Sequence, residues 1–279
     1  MTELPLSVWA TAQQTARVQR ADRYLPATTA HPGKMLPAIA AHAIHAYTQP
    51  GDLVVDPMCG IGTTLVEAIH LGRDAIGVEY EDPWARLAAA GVEHARAQGA
   101  TGHAEVLTGD ARNLSGLLDP AVRGLVAMVL TSPPYGPSVH GQVSARPGAG
   151  VAKSHDRYSR DPHNLAHVGL TRLLDAMGQI FTDCRRVLRP GGIVAMTVRP
   201  WWHAGQLIDL PGELVRVGEA TGLTFYERNV ALLTALRNDT LVPRVSFFAL
   251  DQVRRARARG IPRSVIAHED LLVFRRDGR

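Results

Sequence analysis

The chain has 279 residues, 46% of them hydrophobic and only 5% aromatic, which suits one α/β domain of roughly 200–250 residues plus extensions. Thirty Lys and Arg against 26 Asp and Glu give a net charge of +4, compatible with nucleic acid but diagnostic of nothing. Two cysteines, Cys59 and Cys184, exclude a disulfide framework and a cysteine metal cluster. No run approaches the ~18 apolar residues of a membrane helix, and the N-terminus lacks a charged-then-apolar leader, so a soluble, cytoplasmic protein is expected.

Residues 1–30 are polar and rich in Ala, Gln and Arg, as in a helix or arm packed on a larger domain. From Asp52 strands and helices alternate. Leu53–Val55 reads as a strand and Gly62–Leu71 as a helix with Gly72 past its end; Ala75–Val78 is a second strand. Asp82-Pro83 opens a helix as cap and first-turn proline. Ala104–Leu107 and Leu125–Leu130 are strands three and four, the latter apolar throughout, as for a strand covered on both faces. Residues 136–163 show no periodicity and read as a mobile insertion. Leu165–Leu188 is a long helix stopped by Arg189-Pro190-Gly191-Gly192. Ile193–Val198, Leu223–Leu233 and Glu269–Phe274 are later strands, with a helix at Pro211–Thr221. The alternation predicts a doubly wound, mostly parallel sheet.

Three motifs carry chemistry. In "LTSPPYG", residues 130–136, Pro133 and Pro134 follow the fourth strand directly. Prolines donate no backbone N–H and bias the preceding residue toward extended geometry, so they form a stiff ledge that presents Ser132 and Tyr135 at the sheet's ligand-binding edge. A plain exit turn is the alternative reading. In "VVDPMCGIGTT", residues 54–64, Gly60 and Gly62 lie between strand and helix, where the backbone approaches a ligand closely. The loop lacks the Gly-Lys-Ser/Thr of a P-loop and the third glycine of a dinucleotide fingerprint. Asp56 would repel a phosphate; it suits a cationic ligand or a network of amides and water. Glu79 ends the second strand 23 residues after Asp56, the spacing of a ribose-binding acid, and Asp110 ends the third.

Together "DPMCGIGTT", Glu79, "GDA" and "TSPPYG" resemble the S-adenosylmethionine-dependent DNA amino-methyltransferases, across roughly residues 31–275. "HPGKM", residues 31–35, is similar to the segment that helps hold the cofactor's methionine end, which implicates Lys34. The resemblance implies a Rossmann-like seven-stranded sheet with an antiparallel last strand, an N-terminal extension over 1–50 and a methyltransferase domain over 51–279. It implies that Asp56, Pro57, Gly60, Gly62 and Thr63 bind the amino-acid end of S-adenosylmethionine, Glu79 its ribose, and Asp110 with Ala111 its adenine. Ser132, Pro133, Pro134 and Tyr135 become the catalytic ledge: the Ser132 hydroxyl and Pro133 carbonyl accept from the target amine while Tyr135 stacks on an extruded base. No metal site is implied. Neither cysteine follows a proline, which argues against thiolate-dependent carbon methylation.

A serine before the prolines resembles the N4-cytosine members more than the N6-adenine ones, whose ledge carries an aspartate. RNA enzymes acting on guanine N2 share a similar ledge with an acid in place of Ser132, usually with an extra RNA-binding domain. Arg146, Lys153, Arg157 and Arg160 in the insertion, or the run at 254–263, are expected to meet nucleic-acid phosphates, against a solvated surface as alternative. DNA is the expected partner ahead of RNA. A catalytically silent binding module and small-molecule amine methylation stay open, as do a homodimer and a cognate nuclease of the restriction-modification kind, although no segment is long enough for a large target-recognition domain.

Overall fold

The computed structural model describes residues 4–134, 142–146, 150–154, 161–203 and 205–278. In chain order these form β1 (Val8–Trp9), α1 (Ala16–Arg20), α2 (Pro37–Tyr47), β2 (Leu53–Asp56), α3 (Thr63–His70), β3 (Asp74–Glu79), α4 (Asp82–Ala97), β4 (Ala104–Thr108), α5 (Leu114–Leu117), β5 (Val126–Thr131), α6 (Leu170–Val187), β6 (Leu188–Val198), α7 (Leu210–Ala220), β7 (Thr224–Leu232), α8 (Phe247–Ala258) and β8 (His268–Arg275). Separate hairpins pair Gln142–Arg146 with Gly150–Ser154, Trp201–His203 with Gln206–Ile208, and Thr234–Arg237 with Thr240–Pro243.

The main sheet runs β1-β7-β8-β6-β5-β2-β3-β4. Neighbours are parallel except where β8 lies antiparallel between β6 and β7. The chain builds outward from β2 through β3 to β4, then returns to place β5 on the other side of β2. That reversal is the point at which doubly wound sheets open a crevice at the carboxyl ends of their strands.

All six residues of β5 are buried, which explains the apolar run from Val126 to Leu130; Leu125, expected in the same covered strand, lies before it and is exposed. Along α6 the buried residues Leu173, Met177, Ile180, Cys184 and Val187 recur every three or four positions, one face of a helix. One apolar cluster joins the sheet to α2, α3 and α4 and a second joins the opposite face to α5, α6 and α7, making three layers. Both cysteines are buried free thiols, pushed up by that burial. Among the described residues no helix is long and apolar enough to cross a membrane.

The structure corrects several sequence expectations. The sheet has eight strands, not seven: Val8 and Trp9 pair with Val230 and Ala231 at the free edge of β7. Two residues are too few to show alternation, and Trp9 is fixed by packing, 4.1 Å from the His42 ring. The helix expected from Leu165 begins at Leu170, because Asn164 caps a separate turn over Leu165–His167 and Gly169 then starts the helix. Glu81, not Asp82, is the cap of α4, with Asp82 its first helical residue. The stretch 136–163, read as lacking periodicity, contains a hairpin of two five-residue strands.

The N-terminal extension is held to the domain by buried charge. Arg23 donates from Nε and Nη2 to the two Glu67 oxygens at 2.9 and 2.7 Å, and the Tyr24 hydroxyl donates to Glu67 at 2.6 Å. Glu67 lies on α3 with 3% of its surface exposed, so its removal strands the buried Tyr24 hydroxyl and leaves the half-buried Arg23 guanidinium without its partner. Glu67→Ala is expected to lower unfolding free energy by about 3 kcal/mol. Chemical denaturation checks this; a loss below about 1 kcal/mol would mean that the extension is held by apolar packing alone.

Candidate active site

A cleft of about 380 Å³ opens over the carboxyl ends of β2, β3, β4 and β5, in the size range of small-molecule sites. It is lined by Lys34, Asp56, Pro57, Gly60, Thr63, Glu79, Asp110, Ala111, Ser132, Pro133 and Pro134 among others. Eleven residues proposed from HPGKM, the glycine loop, the strand-end acids and the ledge therefore meet at one site. Gly62 stands at the start of α3, φ +77, behind the lining. Tyr135, Arg157 and Arg160 fall outside the described residues. Arg146 and Lys153 sit on the two strands of the hairpin after the ledge, with only their backbone described.

Each acid is held differently. Asp56 ends β2 with 3% of its surface exposed. Its Oδ1 accepts from the Met58 amide at 3.0 Å and the Thr131 hydroxyl at 2.8 Å; its Oδ2 accepts from the Thr64 hydroxyl at 2.6 Å. One side chain thereby ties β2, the glycine loop, α3 and the end of β5 together. Glu79 accepts from the Gly60 amide at 2.8 Å and the Glu81 amide at 2.9 Å, locking the loop against β3. Burial raises its carboxyl above the ordinary range, against the pull of the two amides. Asp110 caps the short turn that follows β4, accepting from the Arg112 amide at 2.9 Å and pairing with the Arg112 guanidinium, and is lowered.

The glycines are required by geometry. Gly60 has φ +54, and a Cβ there would stand 3.2 Å from Nε2 of His31. Gly62 has φ +77, with the Ala88 methyl 3.2 Å from its would-be Cβ. His31, 5% exposed, is the first residue of the HPGKM segment and packs edge-on against Trp84 at 4.8 Å. The segment is thus a wall against the glycine loop. Lys34 closes it, its ammonium donating to the carbonyls of Thr29 and His31, and burial together with Arg20 lowers its pKa to about 8. Arg20 itself donates to Thr63 Oγ1 at 3.3 Å, so the HPGKM side of the cleft has two cations nearby.

Sequence reasoning missed three groups. Thr64 and Thr131, the partners of Asp56, lie inside the quoted motifs but carried no signal of their own. His163, Asn164 and Leu165 line the cleft opposite β3, where the Asn164 amide donates to Glu81 at 2.9 Å and the Tyr80 hydroxyl to Asp161 at 2.7 Å. Arg199, Arg244 and Glu269 line its far end. The donor set fits an amino-acid nucleoside cation: strand-end acids, loop amides and no lysine-bearing phosphate loop. Among the described residues no group of three or more His, Cys, Asp or Glu is arranged to hold a metal ion.

Burial raises Asp56 from 3.8 to about 6 in the folded protein, opposed by its hydroxyl and amide donors. A raised acid keeps its proton when folded after the unfolded chain has lost it, so stability falls as pH rises from about 4 to about 6. The expected loss from this group is about 2–3 kcal/mol. Unfolding free energies measured against pH for the natural chain and Asp56→Asn should differ by a gap that shifts across that window in favour of the variant; a pH-independent gap would contradict it.

Comparison with known proteins supports the same region. Residues 2–90 match the N6_N4_Mtase family model, described as DNA methylase. The tRNA (guanine(10)-N2)-dimethyltransferase of Methanothermobacter thermautotrophicus is 35% identical over 107 residues, 38% of this chain and 29% of that one. Among solved structures, TrmN from Thermus thermophilus aligns with a TM-score of 0.53 at 17% identity, over 92% of this chain and 53% of its own. Geranyl diphosphate C-methyltransferase from Streptomyces coelicolor A3(2), solved with Mg2+, geranyl diphosphate and S-adenosyl-L-homocysteine, aligns at 0.50 with 15% identity, over 86% and 79%. The chain thus spans under a third of the curated relative and about half of TrmN. The family match covers HPGKM, the glycine loop and Glu79 and ends before the ledge. The chain has the Rossmann-like fold of the S-adenosylmethionine-dependent methyltransferases, and its residues 2–90 match the DNA methylase family that the sequence motifs resemble.

Proposed function

We propose that the protein methylates an exocyclic amine of a nucleic-acid base with S-adenosylmethionine, cytosine N4 in DNA being the favoured target and adenine N6 the alternative within the same chemistry. The observation that carries this is the shared cleft: Ser132, Pro133 and Pro134, at the end of β5, line the same space as the glycine loop and the three strand-end acids.

In this reading Lys34, Asp56, Pro57, Gly60, Gly62 and Thr63 form the seat for the amino-acid end of the cofactor, Glu79 meets the ribose, and Asp110 with Ala111 meets the adenine. When bound, the cofactor supplies a methyl group on a positively charged sulfur. The chain's work is positioning. An aromatic amine shares its lone pair with the ring and is a poor nucleophile. The Ser132 hydroxyl and the Pro133 carbonyl accept its N–H groups and favour a pyramidal nitrogen whose lone pair is available. The two prolines keep these acceptors from moving with the loop, so orientation is prepaid in the fold. Tyr135 stacks on the base. Arg146, Lys153, Arg157 and Arg160 meet phosphates beyond the ledge, with Arg244 at the rim of the cleft.

A second reading is methylation of guanine N2 in RNA. It is favoured by the 107-residue similarity to a tRNA (guanine(10)-N2)-dimethyltransferase and opposed by serine at position 132. A homodimer and a nuclease partner belong to the DNA reading and have no support of their own.

Nucleosides from DNA and RNA of cells with and without the protein, separated and weighed by mass spectrometry, test the reading. N4-methylcytosine appearing in DNA supports the favoured target, N6-methyladenine moves it, and N2-methylguanine in RNA gives the second reading. Ser132→Ala is expected to lower kcat by about 10²-fold with cofactor affinity unchanged, since it removes one acceptor used at the reacting amine. Full activity in that variant would remove the ledge from the mechanism.

A further inference from the structure

The far end of the cleft is formed by groups for which methyl transfer alone supplies no role: Arg199, Leu233, Arg244 and Glu269 share the space with Ser132 to Pro134. Register explains their convergence. Thr131 of β5 pairs with Met196 of β6, and Val198 of β6 pairs with Asp270 of β8. One step further along, Ser132 stands level with Thr197, and Glu269 level with Arg199. Met128 and Leu130, Ile193 and Ala195, and Leu271 and Val273 all belong to the apolar cluster on the α2 side of the sheet. The two-residue period of a strand puts Ser132, Arg199 and Glu269 on that same face. Because β8 runs antiparallel, its first residues, not its last, reach the ligand edge. Two strand spacings, about 10 Å, separate β5 from β8, a span that two side chains and one heterocycle can bridge.

Glu269 is an unusual group to leave there. Its Oε2 is buried and meets no hydrogen-bond partner, although buried carboxyl oxygens nearly always have one. A half-turn about the last side-chain torsion exchanges the two oxygens at little cost, so the carboxyl can turn one oxygen to the cleft. Burial raises this acid above its ordinary value; Asp270 acts in the same direction and Arg199 opposes it.

Resting on the reading that the cleft takes a base amine, we propose that Glu269 is the specificity residue for that base, its carboxyl donating a hydrogen bond to the ring nitrogen beside the target amine. That nitrogen is an acceptor in cytosine (N3) and in adenine (N1). In guanine the corresponding N1 carries a hydrogen, so a neutral acid presenting its O–H there opposes a donor. Glu269 therefore selects bases whose Watson–Crick edge places an unprotonated ring nitrogen beside the amine, and Ser132 fixes the amine itself.

Steady-state methyl transfer separates the alternatives. The full chain, Glu269→Gln and Glu269→Ala are assayed with radiolabelled S-adenosylmethionine on genomic DNA and on bulk tRNA from cells lacking the protein, and cofactor affinity is measured by calorimetry. Glutamine keeps a donor in the same shape, so Glu269→Gln is expected to stay within about threefold of the natural chain in kcat/KM on DNA. Glu269→Ala is expected to fall about 10- to 100-fold, with cofactor affinity unchanged in both. If glutamine is as damaging as alanine, the donated hydrogen bond is wrong, and an ionised Glu269 accepting from a ring N–H takes its place. An alanine variant as active as the natural chain removes Glu269 from recognition. If the natural chain methylates neither polymer, the reading of the cleft fails first, and this one with it. Glutamine is nearly isosteric with glutamate and keeps the test valid where alanine lowers stability.

Discussion

Everything at this site depends on a carboxylate held in a dry place by neutral donors. Asp56 sits where the strand order reverses, between β2 and its neighbours β3 and β5. Its three hydrogen bonds run to three different elements, so the crevice that any doubly wound sheet opens here acquires a fixed shape. The glycine loop cannot drift from the end of β5, because Met58 and Thr131 share one oxygen of the same side chain. Glu79 repeats the device one strand over, through the amides of Gly60 and Glu81. The ledge that begins at Ser132 is rigid partly through its prolines and partly because the residue before it is anchored to Asp56.

Much of this was readable from the chain. Strand ends, helix spans and the glycine loop follow from apolar runs and turn residues, which are local signals. The end of β5 was legible because prolines cannot continue a buried ladder. Partnership was not legible. Asp56 and Thr131 are 75 residues apart, and nothing in either motif states that they touch. The N-terminal strand was hidden for another reason: two residues have no period, and β1 exists because β7 would otherwise expose an unpaired edge. Glu269 lay in plain view in "HEDLLVFRR" and was read only as the start of a strand. The order of strands across the sheet, with β8 antiparallel beside β6, is what brings that start to the cleft.

The cations are distributed unlike the acids. Lys34 and Arg20 stand beside Thr63 and the HPGKM wall, and Arg199 and Arg244 stand at the far end. Between them lie Asp56, Glu79 and Asp110, the last paired with Arg112. Such a cleft favours a ligand that carries positive charge at its centre.

The same arrangement couples binding to protonation. Asp56 and Glu79 are raised because burial is met by hydroxyls and amides, none of which brings a full positive charge. A cation entering the cleft favours their ionised forms, so its arrival lowers both acids and releases whatever proton they carry. Some of the instability that these buried acids impose on the empty fold is then relieved by the ligand, and affinity should strengthen as pH rises through the range in which Asp56 titrates. An ion pair inside the protein would have stabilised the empty cleft more and left less for the ligand to gain. On this argument the neutral donors around Asp56 and Glu79 serve binding, and part of the fold's own stability is what they give up for it.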